Sequence, residues 1–266
     1  MAVFDINNFA IDHVLRGLMV SQADGSVMWS INQIAEPSLN LTSETSEVTD
    51  VIGSTIATFN RAKKAEFTAN NSLFDLGLLA AQGGTEKVVA TAESKITAPV
   101  FETLTVPSTV TNPVALKHTP LSTPAEIYRL KGDGTLGEKL LYSATTGAGK
   151  FTYDESTHSI TFPTGSVAGS QYFVVYDYET ERAVSVSGDA INFPKAGKFI
   201  MEVLGTDVCD QSTLIHAYVI FPNAKLDANV DISFATDGNH PFTIQAQQAY
   251  CDKEKRLFQI VVPDEE

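Results

Sequence analysis

The sequence predicts a mainly β protein: a β-sandwich with one short flanking helix and a small inserted β-domain of Ig-like character. Three observations lead there. Thr, Ser, Val and Gly are prominent and turn-forming residues recur along the chain, a composition that favours strands. Short apolar runs alternate with turn chemistry through the middle and last thirds. One stretch alone, Ser72 to Gly83, combines helical spacing with signals at both helix ends. The chain has 266 residues, enough for one large domain or two small ones. Its 43% hydrophobic content is globular and excludes wholesale disorder.

In chain order, residues 8–15 read as a short helical lead-in, with Phe9, Ile11, Val14 and Leu15 as its apolar positions. Asp24-Gly25 lies between two apolar runs and predicts a hairpin turn. Pro37 interrupts the chain, and two strands with a turn near Gly53 follow it. Asn60-Arg61-Ala62-Lys63 reads as a second hairpin loop, between Ile56–Phe59 and Ala65–Ala69, which sets a basic cluster at an exposed tip. Ser72-Leu73-Phe74-Asp75 fits a capping box opening a helix over Leu73–Ala81, with Gly83 at its C-terminal stop. Gly77 weakens that helix by about 1 kcal/mol. Its apolar faces predict packing across a sheet.

Pro99 to Pro124 reads as extended chain or linker. Six short runs follow: AEIYRL, EKLLYS, KFTYD, SITFP, QYFVVYDYE and RAVSVS, separated by turns such as KGDG and DESTHS. FIMEVLGTD, LIHAYVIFP, NVDISFAT, FTIQAQQAY and RLFQIVVP are the strand candidates of the last third.

Charge excludes some functions. With 18 basic against 32 acidic residues the formal balance is −14, and such a surface repels the phosphates a general nucleic-acid binder must neutralise. Cys209 and Cys251 form no CxxC, and the five histidines are dispersed, so no metal centre and no cofactor is expected. The two cysteines are free to pair or to remain reduced. The first twenty residues lack the basic start and unbroken apolar core of a secretory leader, and a reducing compartment is expected. No segment approaches the roughly 20 apolar residues of a bilayer-spanning helix, so no membrane partner is expected.

Catalytic motifs fail on inspection. TTGAGKFT resembles a phosphate loop, but Ala144 stands where the first Gly belongs and Phe151 where the hydroxyl belongs; a hairpin turn fits it better. His216 lies in an apolar strand and reads as a structural histidine. TDGNHPF and DESTHS have the composition of ion-binding loops without the spacing of an EF-hand, and read as hairpin turns. The expectation is therefore no catalytic residue and no enzyme.

The stretch "SINQIAEPSLNLTSETSEVTDVIGSTIATFNRAKKAEFTANNSLFDLGLLAAQGG" resembles part of the major tail-tube proteins of tailed bacteriophages, through its Asp50-x-x-Gly53 step, its basic bridge and its short helix. "LIHAYVIFPNAKLDANVDISFATDGNHPFTIQAQQAYCDKEKRLFQIVV" is similar to the closing strands of such proteins. The resemblance covers about half the chain. It implies a discontinuous tube-type sandwich from 1–106 and 188–266, with 107–187 as an inserted domain. It also implies a subunit of hexameric rings that stack into a tube, together with other phage tail proteins. Genomic DNA would pass without specific binding, and the acidic surplus would line the lumen. The implied location is the virion tail, after assembly in the host cytoplasm. Arg61, Lys63 and Lys64 become the candidate contact to an acidic neighbouring subunit.

Two alternatives stand beside this. One is a capsid decoration or minor head protein of similar architecture. The other is an Ig-like carbohydrate- or surface-binding module at 107–187, where Tyr128, Tyr142, Tyr153, Tyr172, Tyr176 and Tyr178 would be either stacking surfaces or core.

Overall fold

The computed structural model describes residues 6, 8–209, 211–236, 238–250 and 255–263. In chain order the elements are β1 (Phe9–Val20), β2 (Val27–Ile31), β3 (Ile34–Thr49), β4 (Thr55–Asn71), α1 (Leu76–Gln82), β5 (Val88–Val89), β6 (Ile96–Thr105), β7 (Val114–Ala115) and β8 (Glu126–Leu130). Then come β9 (Leu136–Tyr142), β10 (Lys150–Asp154), β11 (Ser159–Thr161), β12 (Gln171–Thr180), β13 (Val184–Ser185), β14 (Ala196–Asp207), β15 (Leu214–Leu226), β16 (His240–Ala246) and β17 (Gln259–Val261). The protein is mainly β with one short helix, as the sequence predicts.

The chain divides into two compact units. Met1–Lys87 and Val186–Glu266 form the first, and Val88–Ser185 the second. The first is built on a sheet ordered β2-β1-β14-β15-β16-β4-β3, with β17 pairing β15 alongside β16. Its sheet folds over on itself. Trp29 on β2 meets both Phe199 on β14 and Phe242 on β16, at 5.7 and 6.3 Å between ring centroids. Phe67 on β4 completes the aromatic cluster against Phe199, Phe221 and Phe242. Full burial of each such ring stabilises the fold by roughly 1.5–3 kcal/mol.

The second unit is a sheet ordered β6-β12-β8-β9-β10-β11-β7, with its own core around Ile127, Phe151, Ile160, Tyr172 and Val174. At its neck β5 and β13 pair antiparallel, Val89 opposite Val184 and Val88 opposite Ser185. In the first unit, the Thr85 hydroxyl donates to the Ser187 carbonyl at 2.7 Å, so the outgoing and returning chain lie side by side.

Several expectations are corrected. Residues 9–20 form a strand and no helix. Register shifts between Ile11 and His13 and between Val14 and Arg16 break the two-residue alternation, and the resulting apolar spacing imitates a helical period. Pro37 lies inside β3, in a register shift between Ala35 and Ser38, where an edge strand tolerates the missing N–H. Pro99 lies likewise on the edge strand β6, paired with Asp177, so of the two readings, extended chain or linker, residues 99–105 take the extended one, inside the compact unit Val88–Ser185. The Gly147–Lys150 turn leads from β9 into a parallel neighbour, β10, and is not the loop of a hairpin. NVDISFAT holds no strand. Cys209 is exposed, while Cys251 lies outside the described residues.

Candidate functional site

The longest exposed run among the described residues of the first unit lies on a hairpin made of β3 and β4. At its root, β4 alternates in the manner of a half-buried strand: Ala65, Phe67, Ala69 and Asn71 face inward. There β4 is flanked on both sides, by β3 and by β16, whose register runs from His240 opposite Asn71 to Gln245 opposite Glu66. Beyond Glu66 that second partner is gone. From Leu41 to Lys64 every residue is exposed except Asp50 and Ala57, which are half-buried. The outer hairpin is a two-stranded ribbon with water on both faces and both edges.

Local chemistry explains why the ribbon holds its shape. Asp50 accepts from the amides of Ile52 and Ser54 at 3.0 and 2.7 Å, and Gly53 supplies the positive φ of 90° that the turn needs. Thr and Ser line the strands. Near the tip the side chains become apolar: Val48, Val51, Ile52, Ile56 and Phe59 are all exposed, Val51 and Ile52 nearly completely. An aqueous surface gives no reason to concentrate five large apolar groups there.

The basic cluster lies elsewhere than the sequence suggests. Asn60–Lys63 is no loop; it is the middle of the continuous strand β4, and the only turn is at Asp50–Ser54. Between Thr42/Lys64 and Glu44/Arg61 the register shifts by one extra residue on β4, with Ala62 at a positive φ of 47°. This bulge has the polarity of a loop and misled the reading. Arg61, Lys63 and Lys64 are all exposed on the ribbon. Lys64 pairs with Glu44 at 3.1 Å, both side chains two-thirds exposed, and Arg61 stands opposite Glu44 in the register. The structure thus places the three basic residues together on β4, beginning two residues after Phe59, the innermost of the apolar side chains.

A second exposed region surrounds α1. The true N-cap is Asp75, whose carboxylate accepts from the Leu78 amide at 2.8 Å; the Ser72 amide instead bonds the Gln33 carbonyl. Leu78 and Ala80 are buried, as expected of a helix packed on a sheet. His240 is fully buried beneath it. Its Nδ1 accepts from the Asp75 amide at 3.3 Å, so its Nε2 carries the proton and donates to Gln82 Oε1 at 2.7 Å. The Gln82 amide in turn donates to the Pro241 carbonyl. Burial lowers the His240 pKa, opposed in part by the Asp75 carboxylate. Above it Phe74 stacks on the imidazole at 5.3 Å and meets Phe234 at 5.7 Å. Phe74, Phe234, Leu73 and Leu76 are exposed. Sequence reasoning missed this patch because it read Phe234 as part of a strand and Leu73 and Phe74 as helix.

Other polar groups are committed to structure. Glu202 is bonded by Arg16 on one oxygen and by His216 Nδ1, at 2.9 Å, on the other. In the second unit the Tyr172 and Tyr176 rings are core. The Tyr176 hydroxyl bonds Glu102 at 2.9 Å and accepts from the His118 amide, and burial, with Glu102 adding to it, pushes its pKa up to about 12. Tyr178 stacks on His118, and Tyr128 bonds Glu126. Among the described residues no group of three or more His, Cys, Asp or Glu converges as a metal site. No described helix is long and apolar enough to cross a membrane.

No curated protein matches the chain. A family model described as the YomU/Tube protein family matches residues 9–257, nearly the whole length and both units. By that match, and with the β-rich frame and projecting ribbon already described, the chain belongs to the YomU/Tube protein family, a family of phage tail tube proteins.

Proposed function

We propose that this protein is a self-assembling subunit of a phage tail tube, without an enzymatic step, whose copies form hexameric rings that stack end to end. The observation that carries this reading is the outer β3–β4 ribbon. An isolated two-stranded hairpin is marginal in water, and this one exposes both faces and an apolar tip. A second copy supplies the missing partner at no cost in new sequence. Family membership supports assembly with other tail proteins and a place in the virion tail.

Within this reading Arg61, Lys63 and Lys64 contact an acidic surface of the neighbouring copy. The surplus of acidic residues, 32 against 18 basic, weakens phosphate attraction and lets genomic DNA pass without being held. The first unit is the tube-forming frame. The second, with its own core and its paired neck, is an inserted domain that does not build the tube wall.

Negative-stain microscopy of the concentrated, purified protein tests the proposal. Rings and tubes of uniform width are expected. A protein that stays monomeric at every concentration, or that labels the phage head instead of the tail, overturns it.

A further inference from the structure

We infer that the apolar patch beside α1, formed by Leu73, Phe74, Leu76 and Phe234, is the seat for the tip of the β3–β4 ribbon of a second copy. This inference rests on the tube-subunit reading and names the acceptor that reading leaves open.

Three observations select this occupant. First, the patch and the tip are alike in chemistry. Phe234 and Leu73 are 87% and 62% exposed, and Val51 and Ile52 are 104% and 86% exposed, so each surface lacks an apolar partner that the other supplies. Second, the charges behind the two surfaces are opposite. Arg61, Lys63 and Lys64 follow the apolar end of the ribbon along β4, and Phe59 stands two residues from Arg61. Beside Phe234, the segment 227–236 carries Asp227 and Asp231 and no Lys or Arg. A ribbon laid lengthwise, with Ile52 toward Leu73 and Phe59 on Phe234, carries Arg61, two residues beyond Phe59, to the acidic segment. Third, the Phe74 side of the patch is mounted on a hydrogen-bonded base. Phe74 stacks on the fully buried His240, which is tied to Asp75 and Gln82 at the two ends of α1. A ring held this way loses little conformational freedom when it is covered.

Tip and patch are different surfaces of one chain, so the contact is head-to-tail. The growing assembly keeps one free tip and one free seat after every addition, and such contacts propagate without limit unless they close into a ring.

The test uses the full chain. p-Benzoylphenylalanine replaces Ile52, assembly is allowed to proceed, and the photo-cross-linked peptides are mapped by mass spectrometry. Cross-links between copies to the Leu73–Leu76 or Phe234 peptides are expected. Cross-links confined to Val88–Ser185, to the β1–β2 turn or to position 52 of another copy overturn the assignment. In parallel, the double variant Leu73→Ser with Phe234→Ser is compared with Val51→Ser combined with Ile52→Ser. Both replace exposed side chains, so both should keep the circular dichroism spectrum and thermal midpoint of the parent. Each is expected to reduce tube mass at least tenfold and to stop at the same intermediate. Normal tubes from the patch variant, beside none from the tip variant, refute the seat and leave the tube reading intact. An unmodified chain that never assembles refutes the tube reading itself, and the seat with it.

Discussion

The two halves of the β3–β4 hairpin are made of the same two strands, joined by one ladder, yet they obey different rules. In the root half, Phe67 is 1% exposed and touches three other rings, and β16 pairs the second edge. In the outer half no residue from Leu41 to Lys64 is buried and the second edge is open. Backbone pairing is continuous across both, so pairing does not distinguish them. What changes is where the apolar side chains find partners: inside the fold for the root and, on the proposed assembly, in a second copy for the ribbon. A mutation at the root should therefore be read as a folding experiment, and one on the ribbon as an assembly experiment.

Phe67→Ala is the strongest test of the folding side. Removing a fully buried ring among Phe199, Phe221 and Phe242 should cost about 3–5 kcal/mol, seen as a large fall in denaturant midpoint. A loss below about 1 kcal/mol, the scale of a surface change, would erase the distinction between the halves.

Acid provides an intermediate effect, also at the root, where His240 stands opposite Asn71. The folded chain holds His240 below its ordinary value of 6.5, so between the two values the unfolded chain binds a proton that the folded one refuses. That stability is present above 6.5 and is lost as pH falls toward the folded value. The thermal midpoint should drop on going from about pH 7 to about pH 5, and His240→Gln should flatten this His-linked part of the slope. A variant with the same slope as the parent removes His240 from the account.

The smallest effect on folding belongs to the ribbon. Reversal of Arg61, Lys63 and Lys64 to Glu breaks one exposed pair, Lys64 with Glu44, and should move monomer stability by no more than about 1 kcal/mol. Its effect on assembly should be severe, read as lost tubes in the microscope and a lost salt dependence of polymerisation. Normal assembly would return the three residues to the status of a solvated strand.

How much of this was legible beforehand follows the same division. Where a strand has one buried face, its alternation announces it: β12, with Tyr172, Val174 and Tyr176 inward, and the Asp24-Gly25 turn are plain in the sequence. The register shifts in β1 hid a strand behind helical spacing, and the shift at Ala62 hid one behind loop polarity. The two strands of the outer ribbon and their turn near Gly53 were legible, but not their length, because a strand without a core face has no alternation to display. Its signature is the run of Ser, Thr and Glu from Thr42 to Glu47, strand-forming in type but apolar on neither face. The patch at Phe234 left less trace still. It depends on a contact between Phe74 and Phe234 that the fold alone brings about.

The neck between Thr85 and Ser187 has a consequence for how this chain can vary. Its two crossings are one hydrogen bond apart, so the frame on either side is spliced across a gap that a few residues could span. Closing a longer or shorter excursion at that point changes chain entropy only logarithmically. Val88–Ser185 therefore occupies a socket rather than a seam. Replacing Val88–Ser185 by a short linker is expected to leave the first unit folded, read as a retained cooperative thermal transition.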